Sequence, residues 1–404
     1  MLLVGGGVLA ISIAAFFRVP LLPMIGIDLG MSATQLGLVT TGFAVGRLVI
    51  DIPAGRLTNR VQPVPLLAAA AFVLAVGSAL FASARFPLWV IGASFVIGVA
   101  SALTNATGMT FFSLSTTVER RGIALAAFSS ALLGGQAVGP LVGGAIADVG
   151  GWRQAQAAAA ISGLVVCIAL LWAGGAPGRW ARAGGDGDPG AFHPAGQPVP
   201  RSERIALRGV SFAMFFTLGA MPQTLVPVIG AQEFGLSATM IGAALGLGGF
   251  CRFVGGLFGG FVSDRVARRA ALLPGLVLQA IGVGLIATTS AGGWLAAIVL
   301  MSLASWGISV GATVIADRAA PSDVGGLLGT YRFVGDLGLI AGPLATALLY
   351  ERVGKPAAVL LVAGLLLATA LACAVMVPET RWSTSGGRRG AVDGDSAGGD
   401  TRPT

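Results

Sequence analysis

Charge is what this 404-residue chain has least of: 10% of its residues are Asp, Glu, Lys or Arg, 55% are hydrophobic, and the mean hydropathy is +0.86. An ordinary soluble domain carries roughly 25% charged residues, so the composition excludes a water-soluble globule. Histidine is nearly absent, and the single His193 stands in a Gly/Pro-rich stretch without ligand partners. The three cysteines, Cys167, Cys251 and Cys373, fall inside apolar runs. Neither a metal site nor a disulfide framework is written here, and each cysteine reads as a small hydrophobe. No nucleophile stands beside a base and no phosphate-cradling loop is present, which removes the grounds for an enzyme, a nucleotide cofactor or an ATP-driven machine. The first apolar run lacks the positive flank of a secretory signal and is expected to be a retained helix; its abrupt start leads us to expect a few residues upstream.

Apolar length is what the chain has instead. Runs recur at about 2 to 25, 34 to 54, 66 to 84, 88 to 112, 123 to 147 and 155 to 174, then at about 209 to 230, 238 to 262, 271 to 290, 294 to 316, 326 to 350 and 357 to 377. Each is close to the ~20 residues with which a helix crosses about 30 Å of hydrocarbon. The expected fold class is therefore all-α integral membrane, with twelve transmembrane helices in two pseudo-symmetric six-helix bundles. A barrel would need ten-residue alternation, which these Ala/Leu/Gly runs lack. The expected division is a first bundle over 1–175, a cytoplasmic linker over 176–207, a second bundle over 208–382 and a disordered tail over 383–404.

The bundles read as copies. Asp28-Leu29-Gly30-Met31-Ser32-Ala33-Thr34 returns 205 positions later as Glu233-Phe234-Gly235-Leu236-Ser237-Ala238-Thr239. At the same spacing Gly37 aligns with Gly242, Arg47 with Arg252, Gly55 with Gly260 and Arg60 with Arg265. Two equivalent halves in a membrane can hold a solute between them and expose it alternately to either side. Basic residues near a span stay preferentially inside, and with both termini cytoplasmic the inner loops and tail hold seventeen arginines against Arg85, Arg153, Arg352 and Lys355 outside. The net charge of +8 is thus topogenic, and the expected partners are a lipid bilayer and a small-molecule substrate, with no nucleic acid. A monomer in the inner or plasma membrane is expected. Trp89, Trp152 and Trp294 are expected in the outer headgroup zone, and Trp382 in the inner one.

Residues 135 to 144 read Gly-Gln-Ala-Val-Gly-Pro-Leu-Val-Gly-Gly inside the fifth run. Gly135, Gly139 and Gly143 share one helix face, which lets another backbone approach closely, while Pro140 favours a kink and Gly144 completes the pattern. This GxxxGPxxGG pattern resembles the antiporter motif of the major facilitator superfamily, particularly its twelve-helix drug:proton antiporters. Between spans two and three that family carries Gly-x-Leu-x-Asp-Arg-x-Gly-Arg-Arg. Here Gly55, Leu57 and Arg60 match, but Asn59 replaces the acid and Gln62-Pro63 the Gly-Arg. The second copy keeps more: Gly260, Asp264, Arg265, Arg268 and Arg269 fit, with Ala267 in place of glycine. The resemblance implies a loop that locks the cytoplasmic side, weakened on the Asn59 side. It departs in span four, where Ser94 stands in place of the arginine four residues before Gly98. The family's usual proton-coupling route is therefore not implied.

Ionisable side chains deep in a span cost several kcal/mol unless paired or wet, so they are functional candidates. Arg18, Arg47, Asp51, Arg252, Arg332 and Asp336 are the deep ones. Arg47 with Asp51 and Arg332 with Asp336 are spaced i, i+4. Spans two and eleven meet across the halves in the resembled fold, and helical rise puts Asp51 about 6 Å deep, Arg332 about 9 Å, Arg47 about 12 Å and Asp336 about 15 Å. Asp51 is then level with Arg332, and Arg47 with Asp336, which predicts a four-charge gate. The alternative is pairing within each helix. Asp336, the deepest carboxylate, is expected to couple protonation to opening. Spans one, four, seven and ten line the cavity in the superfamily. Arg18 is thus expected to contact an anionic or carbonyl-bearing substrate, with its repeat equivalent Gln223 as partner and Asn105 and Trp306 adding polar and stacking contacts; the alternative for Arg18 is backbone carbonyls beside Pro20 and Pro23. Phe16, Phe17, Phe215 and Phe216 read as packing or lipid-facing. Arg252 is expected near the junction of spans five and eight, satisfied by carbonyls or loop acids.

The expected function is secondary active transport, proton-coupled efflux of a small amphipathic compound, with the proton gradient as energy source. The alternatives are proton-coupled import of a small metabolite and, more distantly, a membrane sensor without turnover.

Overall fold

The computed structural model describes residues 2–58, 61–116, 121–174, 200–265, 268–288, 290–318 and 324–377. The sequence-based expectations for Arg60, most of the linker, His193, Trp382 and the tail lie outside these residues, as do the surroundings of Gly55 and the side chain of Asp264. All regular structure among the described residues is helical.

Twelve spans follow in order. Span one is α1 (Leu2–Phe16) and α2 (Leu22–Leu29); spans two to six are α3 (Ala33–Thr58), α4 (Pro63–Ala82), α5 (Pro87–Leu114), α6 (Arg121–Gly150) and α7 (Trp152–Gly174). Span seven is α8 (Arg201–Ala220), a π-helical turn (Met221–Leu225) and α9 (Val226–Phe234). Spans eight and nine are α10 (Ala238–Arg265) and α11 (Arg268–Leu285); span ten is α12 (Ala291–Leu303) and α13 (Gly307–Arg318). Spans eleven and twelve are α14 (Val324–Arg352) and α15 (Lys355–Met376). Helix α8 starts at Arg201, ahead of the expected bundle start at 208, with Pro200 before its first turn and Ala206 and Leu207 already buried.

Three spans are broken, each for a local reason. Pro20 and Pro23 withhold two amide donors in span one, and the chain between α1 and α2 tightens to i, i+3 bonds, with Phe17 N–H donating to Ala14 at 3.3 Å and Leu21 N–H to Arg18 at 3.2 Å. In span seven Pro222 sits inside the π-helical turn and Pro227 follows it, and the Thr224 hydroxyl donates to the Gly219 carbonyl at 2.9 Å. Span ten breaks at Ala304–Trp306, where the Ser305 hydroxyl donates to the Ser302 carbonyl at 2.7 Å. Breaks of this kind survive at membrane depth only where protein or a water-filled cavity satisfies the exposed backbone.

Each half has its own main core, one around Val8, Leu67 and Leu74, the other around Leu207, Leu272 and Val362. Helices meet across the halves chiefly as α3 on α14 and α6 on α10, with α2 on α9. Both termini of the described chain and the two ends of the linker lie at one end of the bundle, the linker end; the opposite end is the far end.

The repeated heptapeptide is a turn capped on both sides. Gly30 and Gly235 take φ of 61° and 60° and close α2 and α9 in the left-handed conformation that glycine adopts without steric cost. Ser32 and Ser237 then cap the next helices, accepting from Gln35 and Met240 N–H at 3.3 Å, and Gln35 returns a bond to Ser32 N–H at 3.0 Å. The leading acids pair at the far end: Asp28 with Arg153 at 2.7 Å and Glu233 with Lys355 at 2.6 Å. Trp152 and Trp294 are buried there, contrary to the headgroup expectation, because the indole of Trp152 donates to Asp28 and packs on Phe81, and Trp294 packs on Phe234. Trp89 alone of the three is exposed.

Candidate functional site

Two adjoining cavities sit where the broken spans meet. The first, with a cavity volume of about 30 Å³ between the halves, is walled by Phe16 and Val19 of span one, Gln136 and Pro140 of α6, and Leu218, Gln223, Leu245, Arg252 and Ser302 of the second half. The second, about 20 Å³, continues into the second half past Thr217, Gln279, Ser302 and Ser305. Arg252 lines both, and among the described residues it is the one charged residue in either wall.

The structure brings Arg18 and Gln223 together: the guanidinium donates to the Gln223 side-chain oxygen at 3.2 Å and lies 4.0 Å over the Phe43 ring. Two residues related by the repeat can touch only near the pseudo-twofold axis, so this contact marks where the two halves face each other. Arg18 itself is 1% exposed and walls neither cavity; Gln223 does. The Nε and Nη1 of Arg18 lack partners.

Trp306 lies apart from both cavities. Its indole donates to the Ala271 carbonyl at 2.8 Å, its ring packs edge-on against Phe258, and the missing side chains of Gly259 and Gly275 make room for it. It is a wedge between α10 and α11, closed off from both cavities. Asn105 is buried in α5 and lines neither cavity. Phe16, read as packing or lipid-facing, does line the first. Gln136, Gln279, Ser302 and Ser305 were not singled out; Gln279, a lone amide within the apolar stretch of span nine, was the available signal.

The span-five motif works on two neighbours at once. A side chain on Gly135, Gly139 or Gly143 would collide with α1 and the turn after it, at Ser12, Ile13 and Phe17, while one on Gly144 would collide with the Ala238 carbonyl of α10. Pro140 stays inside an unbroken helix, its carbonyl against Gly242. Span eleven carries a second copy that sequence reading missed, Gly338, Gly342 and Pro343, displaced by 203 positions. Gly338 and Gly342 admit the backbone of span seven at Phe212 and Phe216, and a methyl on Gly37 would come 2.7 Å from the Pro343 carbonyl. The two interfaces between the halves are thus built alike.

Both are closed at the far end by a carboxylate. Asp148 of α6 accepts from the N–H groups of Ala238 and Thr239 at 3.0 and 2.9 Å, and Glu351 of α14, its counterpart, accepts from Thr34 N–H at 2.8 Å. Each holds the N-terminus of a helix in the other half, where free N–H groups and the helix dipole favour an anion. Toward the linker end Gly256, Gly260, Gly326 and Gly329 have open space where a side chain would stand.

The four gate candidates cluster there without pairing. Asp336 is 3% exposed and feels Arg47, Asp51 and Arg332, and its carboxyl is within hydrogen-bonding reach of that of Asp51. Among the described residues no ion pair within 4.0 Å joins the four, and one oxygen each of Asp51 and Asp336 and the Nε of Arg47 are unpartnered. Arg252 meets neither expected partner: no carbonyl or acid bonds to it among the described residues. In the second loop motif Arg269 donates to the Ala374 and Val377 carbonyls at 2.5 and 3.4 Å, capping α15, and Arg265 lies over Phe261 at 4.3 Å.

The sequence profile of the Major Facilitator Superfamily matches the chain twice, over residues 4–229 and 209–393. The class G tetracycline resistance protein of Vibrio anguillarum is 27% identical over 332 residues, covering 79% of this chain and 81% of that protein. The hexuronate transporter of Bacillus subtilis is 28% identical over 389 residues, 88% and 86%. A bacterial homolog of the human lysosomal transporter Spinster, solved inward-facing and occupied, shares the fold at TM-score 0.69 and 17% identity over 93% of this chain and 94% of its own. With twelve spans, duplicated halves and a cavity between them, this chain belongs to the Major Facilitator Superfamily and resembles its drug:proton antiporter branch.

Proposed function

We propose that the protein exports a small amphipathic compound in exchange for protons by alternating access, with its linker end in the cytoplasm. One observation carries this reading: the halves are joined at the far end by Asp148, Glu351 and the glycine contacts, while toward the linker end the four gate charges come together without pairing. A carrier that rocks about a central site must hold its halves together at one end while the other is free to part. The arginine bias supports placing the linker end inside. Resemblance to a tetracycline resistance protein supports export. Resemblance to a hexuronate transporter supports the second reading, proton-coupled import of a small metabolite.

In this cycle Asp51 pairs with Arg332 and Arg47 with Asp336 when the linker end closes, and the pairs part as it opens. The carboxyls of Asp51 and Asp336, within hydrogen-bonding reach, are able to share a proton. Gln223 meets the substrate, and Arg18 holds it in place. The test is flux in proteoliposomes with an imposed pH gradient across a chemically diverse panel. Gradient-driven movement is expected, its direction separating export from import. Asp336→Asn is expected to reduce the gradient-driven component by roughly tenfold, the cost of losing one coupled charge. Export that persists in Asp336→Asn with its pH dependence intact would rule the coupling role out.

A further inference from the structure

Arg252 stands fourteen residues into the 28-residue α10, so helical rise places it about 21 Å from the far end, at the middle of the span. A guanidinium at that depth costs several kcal/mol unless a partner or water meets it. Among the described residues no charged side chain lies close enough to influence it and none accepts a hydrogen bond from it. The charge does not point into lipid or into a packed core. It lines both cavities, which share Leu218, Pro222 and Ser302 and have no other charged wall residue.

The groups beside it on the wall are polar. Gln279, 5% exposed, brings a side-chain amide and Ser302 a hydroxyl to the same wall, whereas the hydroxyls of Ser305 and Thr217 already donate to the Ser302 and Ala213 carbonyls. On the other side the cavity is apolar, with Phe16, Val19, Leu218, Pro222, Leu245 and Ile298. One end is cationic and able to hydrogen-bond, and the other is hydrocarbon. An arginine fork offers two parallel donors to a planar carboxylate or to a sulfonate, and a water-poor wall strengthens them.

We propose that Arg252 is the head-group site for an amphipathic organic anion, whose hydrocarbon body lies against Phe16, Val19, Leu218 and Leu245. Arg252, which lines the cavities, supplies the recognising charge; Arg18, which lines neither and is bonded to Gln223, does not. This deepens the transport reading by naming the charge of the substrate. The two are separable, because binding is read in detergent without transport: a protein that binds the anion but moves nothing leaves this site standing and sinks the other reading.

The experiment titrates the purified full-length protein with phenylbutyrate, phenylbutyramide and phenylbutylamine, which share a body and differ in head-group charge. Wild-type protein is expected to prefer the carboxylate over the amide by about tenfold or more, as a charge-assisted bidentate contact gives. Arg252→Gln is expected to erase that preference while amide binding stays, and Arg252→Lys to keep much of it. A wild-type protein with no preference for the carboxylate, or one that binds none of the three, overturns the site. So does a preference that survives in Arg252→Gln. Should Arg252→Gln bind neither probe, Arg252→Lys decides: binding the amide without favouring the carboxylate overturns the proposal.

Discussion

Arg47 and Arg252 occupy the same register of equivalent helices, fourteen residues into α3 and fourteen into α10, yet their surroundings differ. Arg47 has Asp51 one turn along its own helix and Asp336 facing it from α14. Arg252 has Gly256 where Asp51 would be and, by the motif alignment, Leu133 where Asp336 would be. One half has given its buried cation to neighbouring carboxylates, and the other has left its cation facing a cavity. In a duplicated carrier the shared positions make the frame that rocks, while the divergence of these two neighbourhoods divides the labour: charge that moves with the gate on one side, charge available to a ligand on the other.

The largest effect is expected from making the second site like the first. Gly256→Asp places a carboxylate four residues from Arg252, as Asp51 is from Arg47, and the open space at Gly256 admits it without displacing a neighbour. An internal counter-ion competes directly with a ligand anion, and at a poorly solvated site its loss to binding is on the order of a hundredfold. Titration with phenylbutyrate reads it. An unchanged affinity would mean that Arg252 is not where the anion lands.

A smaller effect tests the other member of the comparison. If Arg47 and Asp336 pair when the linker end closes, Arg47→Asp and Asp336→Arg each place like charges together, and the double variant restores the pair with reversed polarity. A coupling of about 1–3 kcal/mol is expected from the double-mutant cycle on transport rate. A double variant no better than either single one would favour pairing within each helix.

How much of this was legible beforehand depended on which physical signal a feature leaves in one dimension. The spans were readable because crossing hydrocarbon demands apolar length, whatever the helix packs against. Arg18 with Gln223 was readable as a pair because the repeat relates the two, and equivalent residues that lie near the axis meet. Gly135, Gly139 and Gly143 were readable as a face, since four-residue spacing is a property of the helix itself; their second copy in α14 was missed because it keeps Gly338, Gly342 and Pro343 but loses the last two glycines, to Thr346 and Ala347. Trp306 and Gln279 were not readable. A span buried in lipid and protein is apolar on every side, so no polar stripe tells which face meets the cavity. Only packing turned the indole of Trp306 toward Ala271 and left Gln279 facing Arg252.

The far-end caps offer the smallest and most symmetrical test. Asp148 accepts two backbone N–H groups of α10 and Glu351 accepts one of α3, across equivalent interfaces. Both are exposed, so each is screened by solvent, and removing a helix cap of this kind costs about 1 kcal/mol or less. Because each bond crosses between the halves, the loss falls on one conformation only and shifts the balance toward the far-end-open state by up to roughly fivefold per cap. Labelled cysteines on either side of the far end, measured by distance spectroscopy, are expected to separate more often in Asp148→Ala than in Glu351→Ala, and most in the double variant. If the order is reversed, the second N–H bond contributes nothing, and the two halves are latched by the glycine contacts that they share.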